Sequence, residues 1–61
     1  MLKKDFLLVQ HDDWTRNLAD LRERIKAGAA PRARQLDEVR KAEEWVAYYA
    51  AQLLKGYGLA V

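Results

Sequence analysis

The sequence predicts an all-α fold: an antiparallel two-helix hairpin with an N-terminal apolar cover segment, completed as a dimeric helical bundle. Three observations carry that expectation. Apolar residues recur at alternating steps of three and four along two stretches. A single short connection, Gly28-Ala29-Ala30-Pro31, separates the stretches. The second stretch ends in a run, Trp45 to Leu54, that is apolar almost all the way round a helix.

The chain reads as one 61-residue domain: strip 1–11, first helix 12–27, turn 28–30, second helix 31–55 and flexible tail 56–61. Phe6-Leu7-Leu8-Val9 in the strip fits a short strand, an extended cover or an extra helical turn. Asp12 or Asp13 then offers an N-cap, since a carboxylate accepts from free backbone N–H groups and suits the positive end of the helix dipole. Trp14, Leu18, Leu21 and Ile25 form a narrow seam, and Asp20–Arg24 adds an i,i+4 pair. Gly28 suits the left-handed conformation that ends many helices, and Pro31 suits the first position of the next. So short a connection makes the helices antiparallel neighbours.

In the second helix Val39, Ala42, Val46, Tyr49 and Leu53 give the seam, with Leu36 and Ala50 alongside and Gly56 as the stop. At 1.5 Å per residue the two helices would be roughly 24 and 37 Å long. Asp12 would then lie opposite Val46, and about nine residues of the second helix would overhang. The N-terminal strip, a second copy of the chain or another protein must cover them.

Composition narrows the function classes. A domain this small buries only about 60% of the surface its unfolded chain exposes and often needs extra support. There is no cysteine and one histidine, His11, so disulfides, thiolate metal sites and a His-rich zinc site are excluded within one chain. Self-association is the remaining support. A hydrophobic share of 51% beside 33% charged residues is a globular composition. No apolar stretch approaches the roughly 20 residues of a membrane span, and Asp5 breaks any likeness to a signal peptide. A cysteine-free soluble chain fits the reducing cytoplasm. Net charge is only +2, below what a dedicated non-specific nucleic-acid binder carries.

Two surfaces stand out. Trp45, Tyr48, Tyr49, Leu53 and Leu54 form the expected protein interface, because Trp and Tyr bury large areas and keep a polar tip. The same residues also fit an internal core. Arg22, Arg24, Lys26, Arg32 and Arg34 gather near the turn, offset by Glu23 alone, and form the expected charged partner contact. Arg32 and Arg34 sit where the helix dipole disfavours cations, which a basic tip for phosphate or an acidic protein would explain. A solvated loop explains them as well. His11-Asp12-Asp13 points three ways from a helix start, and capping accounts for the aspartates. No catalytic set, cofactor motif, metal site or small-molecule pocket is expected.

The functional expectation is a cytoplasmic, non-enzymatic protein-binding module, dimeric, that modulates or inhibits a partner macromolecule by occupying its surface. Small phage and plasmid accessory factors often work this way. The alternative is a small dimeric nucleic-acid-binding regulator using the basic turn region. Length and layout are similar to those of short dimeric helical hairpins such as the plasmid RNA-regulating protein Rop, in architecture alone. A ribbon–helix–helix arrangement, with a strand at Phe6–Gln10, fits less well. The alternation there is poor, and the turn lacks a small polar cap.

Overall fold

The computed structural model describes residues 3–28 and 33–61, which form two helices and no strand. Helix α1 spans Lys4–Ala27 and helix α2 spans Ala33–Tyr57. Phe6 meets Tyr49, Trp14 meets Trp45, and Arg22 meets Glu43, so one helix descends as the other rises. The pair is an antiparallel hairpin measuring 41 × 15 × 15 Å. Of the expected turn, Ala29, Ala30 and Pro31 lie outside the described residues, as does Arg32.

The largest departure from expectation is the start of α1. Asp12 and Asp13 do not cap it; they lie inside it, a little over two turns from its first residue. Asp12 instead accepts an i,i+4 ion pair from Arg16 at 3.2 Å. The helix begins after Lys3, whose backbone is extended and whose carbonyl accepts from the Leu7 N–H at 3.1 Å. No side chain caps this end, but Asp5 in the first turn complements the dipole. The physical reason for the longer helix is a seam that runs further back than the aspartates imply. Leu7 and His11 continue the series Trp14, Leu18, Leu21, Ile25 at the same steps, and Leu7 is 2% exposed.

This extension removes the expected overhang. With 24 and 25 residues the helices are matched in length, both roughly 37 Å long at 1.5 Å per residue. Residues 6–9 are helical and belong to α1, neither a strand nor an extended strip.

The ends differ from expectation too. Gly28 closes α1 with an extended backbone, φ −88° and ψ 179°, while its N–H still donates to the Arg24 carbonyl at 3.1 Å. The left-handed glycine is Gly58, at φ 66°, after α2. Gly56, expected as the stop, sits within α2, and nothing lies within 4 Å of where its Cβ would be. At Gly58 the chain reverses: its N–H donates to the Leu54 carbonyl at 3.0 Å, and the Leu59 N–H reaches the Leu53 carbonyl at 3.2 Å. The reversal lays Leu59 against the core, so the segment expected as a flexible tail contributes to packing.

The core itself is small. Among the described residues, Leu7, Leu18, Ala42, Tyr49 and Leu53 are its buried members. Leu7, Tyr49 and Leu53 cluster at the end away from the turn, with Trp14 and Leu59 packed on them. The seam residues Leu21, Ile25, Val39 and Val46 are half-buried, and Leu36 is 53% exposed. Fully burying a leucine contributes about 1.5–3 kcal/mol, so a core of this size leaves little margin.

Candidate protein-binding surface

Trp45 is the hub of the surface. Its ring stacks on Tyr49, one helical turn along α2, with centroids 5.7 Å apart and planes 23° apart. It stacks across the hairpin on Trp14 at 5.9 Å and 17°. Tyr48 stands almost perpendicular to it, at 5.7 Å and 88°. Tyr48 also meets Tyr49 edge-on at 5.1 Å, and Phe6 meets Tyr49 edge-on at 6.5 Å. Five of the chain's six aromatic side chains thus join in one network spanning both helices. Each such pair adds about 0.5–1.5 kcal/mol beyond the area it buries, which favours this arrangement of the rings.

The network has a buried side and an open side. Tyr49 is 9% exposed and Leu53 fully covered, so these two expected contact residues serve the chain's own core. The reason is register: both lie on the α2 seam, and the longer α1 brings Leu7 opposite them. Trp45, Tyr48 and Phe6 remain 43%, 44% and 46% exposed and form an aromatic ridge along one flank of the hairpin.

Leu54 is 58% exposed but does not belong to that ridge. At about 100° per residue, the nine-residue step from Trp45 to Leu54 ends about 180° away. Leu36 precedes Leu54 by eighteen residues, five full turns, and therefore shares its side of α2. The expected single apolar contact set thus divides into a buried pair, an aromatic flank and an aliphatic flank.

The expected basic contact is also altered. Arg24 pairs with Asp20 at 2.9 Å, Arg34 with Glu38 at 3.8 Å, and Arg22 crosses the hairpin to Glu43 at 3.5 Å. Lys26 is exposed, and Arg32 lies outside the described residues. Glu23 is therefore not the only counter-charge. Helical i,i+4 spacing supplies two carboxylates, and the facing helix supplies a third. These pairs are exposed, and each contributes about 0–1 kcal/mol.

His11 sits half-buried, and its carbonyl accepts from the Thr15 hydroxyl at 2.7 Å. Among the described residues no three His, Asp or Glu side chains gather to hold a metal ion. The surface depressions are shallow; one is lined by Glu44, Trp45 and Tyr48. No helix among the described residues is long and apolar enough to cross a membrane. No model of a known protein family matches the chain, and no curated protein or solved structure matches it either.

Proposed function

We propose that this chain is a non-enzymatic binding module that occupies a surface of another protein, modulating or inhibiting it, and that it works in the cytoplasm as a pair of hairpins. One observation carries the reading: Trp45 and Tyr48 are braced by ring contacts within the chain yet stay 43% and 44% exposed. Large, pre-positioned aromatic side chains are what binding hot spots use, because little freedom remains to be lost on contact.

The pairing of hairpins rests on area. A folded monomer of 7.1 kDa exposes roughly 4,100 Å² by the area–mass relation. This chain exposes 4813 Å². The excess of about 700 Å² reflects an elongated 41 × 15 × 15 Å hairpin with a small core, surface that a second copy alongside would partly cover. We assign the aliphatic flank, Leu36 and Leu54, to the second copy, which leaves the aromatic ridge for the target. An isologous contact fits this flank, since a two-fold axis near its middle sets Leu36 of each copy beside Leu54 of the other.

Light scattering across a dilution series tests the assignment. The wild type is expected to show twice the chain mass, and Leu36→Glu with Leu54→Glu the single mass. Trp45→Ser with Tyr48→Ser is expected to keep the doubled mass and lose the target. Collapse of the doubled mass in the Trp45/Tyr48 variant, with helicity intact, would instead place the second copy on the ridge. The nucleic-acid alternative is not favoured, because Arg22, Arg24 and Arg34 already face carboxylates.

A further inference from the structure

The depression lined by Glu44, Trp45 and Tyr48 joins three features. Two aromatic rings stand at 88° with centroids 5.7 Å apart, forming a corner. A carboxylate lies beside them, since Glu44 precedes Tyr48 by one helical turn. And that carboxylate lacks a cation. The two basic residues of α2 within helical reach of Glu44 are Arg40 and Lys41, and both turn to Asp37. Arg40 Nη2 lies 3.0 Å from Asp37 Oδ1, and Lys41 Nζ lies 3.4 Å from Oδ2. Among the described residues no ion pair or hydrogen bond engages Glu44.

We propose that this corner receives an arginine side chain of the target protein. The inference rests on the binding-module reading above and names the chemistry of its contact. A guanidinium is planar and weakly hydrated, so it can lie on an aromatic face while its N–H fork points at a carboxylate. The corner supplies both at once: a ring face from Tyr48, whose ring contacts are both edge-on, and an acceptor from Glu44, while Trp45, stacked on Trp14 and Tyr49, forms the wall beside them. A lysine ammonium is a compact, strongly hydrated charge that gains less from the ring and cannot bridge the two groups with a fork. An anionic or purely aliphatic group would leave the Glu44 carboxylate opposed or unmatched. Asp37 is the carboxylate that the two neighbouring cations meet, which leaves Glu44 without one.

The test uses small probes on the intact chain. N-acetyl-arginine amide is titrated at fixed ionic strength while the Trp45 indole N–H is followed by NMR, assigned with a Trp14→Phe variant. The neutral isostere N-acetyl-citrulline amide and the lysine analogue run in parallel. A saturable shift with half-saturation on the order of 100 mM is expected for the arginine probe, as befits one exposed cation–π contact joined to one exposed ion pair. The citrulline probe should shift the signal at least about tenfold less, and Glu44→Gln should weaken the arginine response several-fold. An equal response to citrulline, an equal response to lysine, or an unchanged titration in Glu44→Gln overturns the proposal. The circular dichroism of Glu44→Gln, expected to match the wild type, excludes unfolding as the cause of a lost response. If Glu44→Gln retains a target that Trp45→Ser with Tyr48→Ser loses, the arginine assignment fails while the binding-module reading stands.

Discussion

Replacing Leu7 by alanine tests the point on which the whole hairpin register depends. Leu7 is 2% exposed and packs with Tyr49 and Leu53, while the adjacent Leu8 is 36% exposed. Buried Leu→Ala changes cost about 2–5 kcal/mol through lost transfer energy and the cavity left behind. This site lies near the start of a helix, where the backbone can partly close the gap, so about 2–3 kcal/mol is the expected loss. A chain of 61 residues has a total stability of roughly 3–9 kcal/mol, so the change removes a large share of it. Each kcal/mol shifts Tm by about 4–8 °C in a domain of this size, giving a fall of roughly 10–20 °C. Leu8→Ala should stay within about 0.5 kcal/mol. The assay is urea and thermal unfolding followed by circular dichroism, with every variant at one protein concentration, since association adds a mass-action term. Equal and small effects at positions 7 and 8 would refute the reasoning, because they would mean that the first turns of α1 are not docked on α2.

Three further outcomes follow from named features. Gly58→Ala should cost about 1–2 kcal/mol, because its φ of 66° lies in the left-handed region, whereas Gly56→Ala should gain about 0.5–1 kcal/mol within the helix; urea midpoints moving the same way for both would contradict the α2 boundary. A double-mutant cycle on Arg22 and Glu43 should return a coupling below about 1 kcal/mol that fades in 0.5 M salt. Duplex DNA and RNA hairpins should not be retained at low salt, and a retention whose logarithm falls linearly with log salt would revive the nucleic-acid alternative.

Much of the architecture was legible in the sequence, and the reasons for the gaps are local. The seams could be read because Leu18, Ala42, Tyr49 and Leu53 follow helical spacing that the buried side reproduces. The first two turns of α1 were hidden by two signals that agree with each other. Asp12 and Asp13 imitate a cap, and His11 puts a polar residue at a seam position where the apolar series looks finished. Reading through His11 to Leu7 at the same step would have found the longer helix and cancelled the overhang. At the other end, Gly56 precedes Gly58 by two residues, and propensity alone does not choose which one breaks the helix. The split of the contact set was available in principle, since the nine-residue step from Trp45 to Leu54 is half a revolution. What spacing could not supply was the ionic pattern, because Arg22–Glu43 joins different helices and depends on their register.

The placement of the buried cluster has a consequence for how the molecule comes together. Leu7 and Leu53 stand 46 positions apart in the chain, and the contacts that matter most to its stability lie at the end farthest from the connection. The hairpin is a clasp that fastens far from its hinge. Closing the loop costs entropy that grows only slowly with its length, so fastening remotely is not prohibitive. It does mean that partial zipping from the hinge passes through the half-buried pairs Leu21, Ile25 and Val39 before much is gained. Two separate peptides, one carrying each helix, would retain every residue of the clasp, and mixing them should restore helicity that neither shows alone.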